Sequence, residues 1–171
     1  TWKTSIGHLI IRDAMFPSTG DASLLGSGFA SKPLEFWFAA TWSAEIRRRV
    51  RLNSKHPDYI HINCLEFVTV ILQLAACITR LELDPYSALP LSLRRRYPNG
   101  IPALPTVVIW TDNTPSKRWA NKVTTASPMG QTLVQIFGEL LRCSDTAINC
   151  DWIAGVDNVR ADMLSRPDLS L

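Results

Sequence analysis

Four carboxylates stand in four separate local settings of this 171-residue chain, and their types and spacing could hold divalent metal. Asp21 lies in the turn-forming run Gly20-Asp21-Ala22-Ser23, which opens the hairpin-like Gly26-Ser27-Gly28. Glu66 enters an almost wholly apolar run, and Asp112 ends Val107-Val108-Ile109-Trp110-Thr111. Asp162 lies in Asn158-Val159-Arg160-Ala161-Asp162-Met163-Leu164-Ser165-Arg166. Acids at a strand end, at the start of a buried helix and on a short terminal helix can converge on one point. Left unpaired, such a cluster repels itself strongly and calls for cations. The combination predicts a divalent-metal site, for which a nuclease is the leading use.

Taken singly, each acid has an ordinary explanation. Asp21 could bond the backbone of a turn. Asn63-Cys64-Leu65-Glu66 has capping-box spacing, so Glu66 could serve a helix N-terminus. Asp112 and Asn113 could be polar residues ahead of a helix, and Asp162 could pair with Arg166 one turn on. Their joint occurrence weighs more. Glu66 is the only acid between Asp58 and Glu82, and the spacings of 45, 46 and 50 residues suit one domain in which each element supplies one ligand.

The elements that must position these acids can be read along the chain. Residues 17–23 read as a first strand, although Pro17 and Gly20 interrupt it. Residues 29–42, rich in aromatics with Phe36, Trp37, Phe38 and Trp42, read with the preceding glycines as two antiparallel strands. A polar, basic stretch over residues 45–59 leads to a long helix over about residues 63–81, with hardly any polar face. Residues 84–105 carry Pro85, Pro90, Pro98 and Pro102 and read as a long surface loop. Residues 106–111 form an apolar strand suited to a central sheet position. Thr114-Pro115 predicts a helix with Thr114 as N-cap, and Ser127-Pro128 opens an amphipathic helix over 129–143. A last strand over 148–154 and a short helix over 159–165 complete the order.

The length fits one domain over residues 1–171, large enough to bury a core. An apolar content of 46% with 19% charge excludes disorder-level bias. No uninterrupted apolar run of about 18 residues predicts a membrane span, and Thr1-Trp2-Lys3-Thr4 does not read as a secretory signal. The missing start methionine suggests a segment cut from a longer chain. Cys64, Cys77, Cys143 and Cys150, spaced 13, 66 and 7 residues apart, read as buried free thiols of a reducing compartment. With only His8, His56 and His61 present, zinc is disfavoured. The net charge of +3 is distributed unevenly, in Arg47–Arg51, in Arg94-Arg95-Arg96, and in Lys117, Arg118 and Lys122 just after Asp112. Such runs are usually solvated faces, but beside an acidic metal site they favour a polyanionic substrate. Trp119 reads as a packing residue.

Four motifs make the chain resemble a ribonuclease H domain of the type fused behind a retrotransposon reverse transcriptase. They are Asp21-Ala22-Ser23 with Gly26-x-Gly28; Ile62-Asn63-x-Leu65-Glu66; Thr111-Asp112-Asn113; and Gly155-x-x-Asn158-x-x-Ala161-Asp162-x-Leu164-Ser165-Arg166. They run in the family's order over residues 21–166, and the last is the most specific. The resemblance implies an α/β fold: a five-stranded mixed sheet, three antiparallel strands first, with helices on both faces. It implies endonucleolytic cleavage of the RNA strand of an RNA/DNA hybrid, with Asp21, Glu66, Asp112 and Asp162 as catalytic metal ligands. Two Mg²⁺ ions (or Mn²⁺), roughly 4 Å apart, would share Asp21; Glu66 and Asp112 would complete the leaving-oxygen site and Asp162 the site that activates water. Recognition would rest on shape and 2′-hydroxyls, through Asn63, Asn113 and the backbone at Ser23 and Gly26, with Lys117, Arg118 and Lys122 on the DNA-strand phosphates. For those cations, solubility is an equal rival.

One position departs from the family. Trp152 stands ten residues before Asp162, where the family often has a loop histidine, and general acid–base help of that kind is worth about 10²–10⁴-fold. The implied partners are the hybrid and the polymerase domain of the same polyprotein, with no membrane, in the cytoplasm, a retroelement particle or the nucleus. Two rivals stay open: a non-catalytic module of the same fold that binds nucleic acid or tethers the polymerase, and a DNA-cutting integrase-like nuclease. Integrase acids usually number three and end in Glu, against Asp162.

Overall fold

The computed structural model describes residues 16–84, 86–100 and 105–166. Its sheet is built around β1 (Phe16–Ala22), which pairs antiparallel with β2 (Gly26–Ser31) and parallel with β4 (Thr106–Thr111). β3 (Phe36–Thr41) extends the antiparallel side and β5 (Ala147–Trp152) the parallel side, giving the order β3-β2-β1-β4-β5. This is the expected α/β fold with a five-stranded mixed sheet whose first three strands are antiparallel.

Pro17 and Gly20 are tolerated in β1 for separate reasons. At Pro17 the strand is paired with β4 only, because the pairing with β2 starts at Thr19, so a missing N–H orphans nothing on that side. At Gly20 a Cβ would fall 1.9 Å from Nε2 of Gln73 on the helix behind. The glycine leaves room for the buried Gln73 amide against the strand.

That helix is α2 (Ile62–Ile78), prolonged by a π-helical turn over Thr79–Leu83. Its apolar residues Phe67, Val70, Leu74 and Cys77 pack with Phe16, Val107 and Ile109 of the sheet and with Phe137. The continuous helix Ile62–Leu83, 22 residues long, holds an 18-residue window apolar enough to cross a membrane by length and composition, and 56% of that window is buried within the fold. Core burial accounts for the composition. α4 (Thr114–Lys122) and α5 (Pro128–Cys143) pack beside α2, with Trp119 edge-on to Phe67 at 5.5 Å, the packing role expected of it.

The opposite face carries α6 (Val159–Leu164). Neighbouring residues of β2 point to opposite faces: Ser27 Oγ bonds Thr69 of α2 at 2.7 Å, whereas a Cβ on Gly28 would lie 2.4 Å from Leu164. Helices therefore cover both faces, and Gly28 sets how closely α6 approaches.

Four expectations need correcting. The basic stretch after residue 42 contains α1 (Ala44–Val50), capped by Ser43 and supported by a Glu45–Arg48 ion pair at 2.8 Å. The stretch 84–105 is not all loop: a 3₁₀ turn at Tyr86–Ala88 leads to α3 (Leu91–Arg96), because Leu89 and Leu93 are buried and the Tyr86 hydroxyl donates to the carbonyl of Arg94. The cap of α4 also shifts by one residue. Asn113, not Thr114, is the N-cap, its Oδ1 accepting from Ser116 N at 2.8 Å. Pro85, Pro102, His8 and the opening Thr1-Trp2-Lys3-Thr4 lie outside the described residues. All four cysteines are free, but Cys143 is exposed at the end of α5 where burial was expected. Its amphipathic helix turns it outward.

Candidate metal centre

Parallel pairing of β1 with β4 puts Thr19 opposite Trp110, so two residues further on Asp21 and Asp112 emerge side by side. Glu66, in the second turn of α2, reaches the same point from behind the sheet. One carboxylate oxygen from each of the three lies within 4.8 Å of the others.

The capping-box explanation of Glu66 does not hold. His61 caps α2, its Nδ1 accepting from Asn63 N at 3.1 Å, and Glu66 Oε2 instead accepts from Ala22 N in β1 at 3.3 Å. Glu66 is 7% exposed. Burial pushes its carboxyl up to about 9, with the charges of Asp21 and Asp112 adding to the effect. Burial likewise raises Asp21; the Ser165 hydroxyl, donating to Asp21 Oδ2 at 2.6 Å, opposes it, while Asp112 and Asp162 push it up and Arg166 pulls it down. Asp112 is raised by burial and, more weakly, by Asp162. Among the described residues, none of the three forms a salt bridge. Two buried carboxylates and one half-buried that share one point without a salt bridge are what a divalent ion would stabilise, and an all-oxygen donor set suits Mg²⁺ or Mn²⁺.

Asp162 stands apart. Its Oδ1 is 2.5 Å from a guanidinium nitrogen of Arg166, one turn along, and the two side chains are 40% and 47% exposed. Its charge is felt at Asp21 and Asp112, but its carboxylate does not belong to the three-acid group. The ordinary i,i+4 pairing is the arrangement the structure has.

The expected nucleic-acid contacts fall into two sets. Asn63, Asn113, Ser23 and Gly26 are engaged in building the site. Asn113 Nδ2 donates to Asn63 Oδ1 at 3.1 Å, tying the start of α2 to that of α4. The Ser23 hydroxyl donates to the Ser165 carbonyl at 2.6 Å and accepts from Leu25 N and Gly26 N, which fixes the β1–β2 turn under the end of α6. Gly26 is buried, and a Cβ there would meet the Ala40 carbonyl at 2.3 Å. The second set is on the surface. Lys117 is bound to Asp151 at 2.6 Å, whereas Arg118 and Lys122 are exposed and make no ion pair with described residues. Trp152, at the end of β5, is 49% exposed, and its Nε1 donates to the Asp112 carbonyl at 3.1 Å.

Two contributors had not been assigned roles from the sequence. Ser165 holds Asp21 directly, and Asn158, 2% exposed, donates from Nδ2 to the Gly20 carbonyl at 3.0 Å. The only signal for either is membership of the motif around Asp162, since their reach to β1 depends on α6 closing over Gly28. No protein-family model matches this chain, and no curated protein matches it.

Proposed function

We propose that this chain is a ribonuclease H-like domain of a retroelement reverse transcriptase, cleaving the RNA strand of RNA/DNA hybrids with divalent metal. The observation that carries the reading is the convergence of Asp21, Glu66 and Asp112, from a strand end, a buried helix and a second strand end, on one point, with no salt bridge to any of the three among the described residues. The order and spacing of the motifs around these acids add the family resemblance.

Asp21, Glu66 and Asp112 would hold the first cation. Asp21 with Asp162 would hold a second, once Arg166 releases the Asp162 carboxylate. Such ions supply charge stabilisation at the cleaved phosphodiester and a water of lowered pKa. The chain's own contribution is positional. Ser165 orients Asp21, Ala22 N orients Glu66, and the Trp152 indole and the Asn113–Asn63 bond brace the segment that carries Asp112. Arg118 and Lys122 supply cationic surface for phosphates.

A second reading, a non-catalytic hybrid-binding or tethering module of the same fold, is favoured by two observations. Trp152 stands where the resemblance implies a histidine, and Arg166 occupies Asp162. Labelled hybrid, duplex RNA and duplex DNA, each incubated with Mg²⁺ and with Mn²⁺, separate the readings. Cutting of the RNA strand of the hybrid alone is the expected result. Hybrid binding without cutting in either metal would transfer the assignment to the non-catalytic module, and cutting of DNA would transfer it to an integrase-like nuclease.

A further inference from the structure

A pocket of about 410 Å³ opens on the surface beside the acid cluster, lined by Thr114, Lys117, Arg118, Asn121, Lys122 and Trp152. Its chemistry is unusual for a surface hollow. An indole 49% exposed forms one wall, and cations from successive turns of α4 form another. An exposed tryptophan costs solvation unless something covers it, and this one is not free to turn away. Its Nε1 is bonded to the Asp112 carbonyl at 3.1 Å, which holds the ring in place and leaves its faces for stacking. Lys117 is neutralised by Asp151 at 2.6 Å, so the available positive charge is that of Arg118 and Lys122.

Resting on the reading above, we infer that this pocket is a subsite for one unpaired nucleotide of the bound nucleic acid, its base stacked on Trp152 and its phosphate held by Arg118 and Lys122. The base must be unpaired because bases inside a duplex already have both faces covered by their neighbours. A nucleotide at a frayed end, a nick or a single-stranded flank offers a free face, and every base has one, so the subsite takes any sequence. The volume is in the range of pockets that hold small ligands. Because Trp152 is bonded to the residue that bears the Asp112 carboxylate, the subsite lies next to the cutting point. It would bias cleavage toward hybrid near a single-stranded junction.

The test is the binding of fluorescein-labelled dT8 to the intact chain by anisotropy in EDTA, where no metal-dependent cutting occurs. Base stacking of about 1–3 kcal/mol predicts that Trp152→Leu weakens binding by roughly 5- to 150-fold. Trp152→Phe, which keeps an aromatic face but loses the hydrogen bond to Asp112, should bind within about 3-fold of the parent. Arg118→Ala/Lys122→Ala should lower the salt dependence of log Kd by about 1–2. Equal binding by Trp152→Leu and the parent overturns the subsite, as does a loss in Trp152→Phe equal to that in Trp152→Leu, which would make the indole a brace for Asp112 only. If either Trp152 variant melts early, an unchanged salt slope in the Arg118/Lys122 variant overturns the subsite independently. Trp152-dependent binding without hybrid cleavage would leave the subsite standing and remove the nuclease reading; cleavage with no such binding would do the reverse.

Discussion

The two ends of the acid cluster are built in opposite ways. Glu66 is 7% exposed, forms no salt bridge among the described residues and has its carboxyl pushed up to about 9. Asp162, with its side chain 40% exposed, lies against Arg166 at 2.5 Å. At the Glu66 end the fold sets the ligands in place before any ion arrives, and burial keeps the Glu66 proton that a divalent ion would displace. At the Asp162 end the protein supplies its own cation. An ion taken there must displace a guanidinium, which gains little from an exposed pair. On the two-ion reading proposed above, the difference would make binding ordered, with the Asp21–Glu66–Asp112 site filling first.

The largest expected effect lies within the tight group. Asp112→Asn should lower hybrid cleavage by about 10³-fold or more, several kcal/mol of metal-borne stabilisation, as measured by single-turnover cutting. Asp162→Asn should leave affinity for the first cation nearly unchanged, which direct titration would show. Equal losses of affinity in both variants would break the contrast between the two ends.

Stability in the absence of metal sharpens the contrast. The unfolded chain releases the Glu66 proton near 4.5, whereas the fold retains it to about 9. Between these values the folded state binds the extra proton, so stability falls as pH rises, being fullest below about 4.5 and lost as pH passes about 9. Melting in EDTA across pH 5 to 9 should show that decline, and Glu66→Gln should flatten it while adding about 1–3 kcal/mol at the upper end. Metal affinity should run the other way and rise with pH, because binding requires the ionised carboxylates. A Tm in EDTA that rises with pH would show that the cluster is not strained.

Smaller effects are expected at the supports. Gly28→Ala would place a methyl 2.4 Å from Leu164 and should cost about 1–3 kcal/mol in denaturant unfolding as α6 is displaced. Ser165→Ala removes the bond to Asp21 at 2.6 Å and should raise the Asp21 carboxyl further, weakening Mn²⁺ binding by about 10-fold, near the lower limit for a bond to a charged group. Arg166→Ala should strengthen uptake of a second cation by at most about 5-fold, the worth of an exposed ion pair.

Most of the elements around the acids were legible from strong local signals, with β1 the weakest because Pro17 and Gly20 interrupt its pattern. Thr106–Thr111 is a continuous apolar run, α2 an apolar helix, and Ser127-Pro128 a capped start. What escaped was set by tertiary contact. Helix α1 is short and basic, so its apolar periodicity is thin, although Ser43, Glu45 and Arg48 signal a capped turn. Helix α3 is anchored by Leu93 amid three arginines, and its starting Pro90 looks like any loop proline. The convergence of Asp21 with Asp112 follows from a parallel pairing between strands far apart in the chain, and the spacing suggested it without fixing it. For Asp162 the sequence offered both its fellow acids and Arg166 one turn on as partners, and residue types alone did not choose between them.

The most direct measurement is a Mn²⁺ titration followed by electron paramagnetic resonance on the unaltered chain, Glu66→Gln and Asp162→Asn at neutral pH. One tighter site, lost in Glu66→Gln and kept in Asp162→Asn, is the predicted result. Binding that survives Glu66→Gln, or no specific binding by the unaltered chain, would contradict a metal centre at Asp21, Glu66 and Asp112.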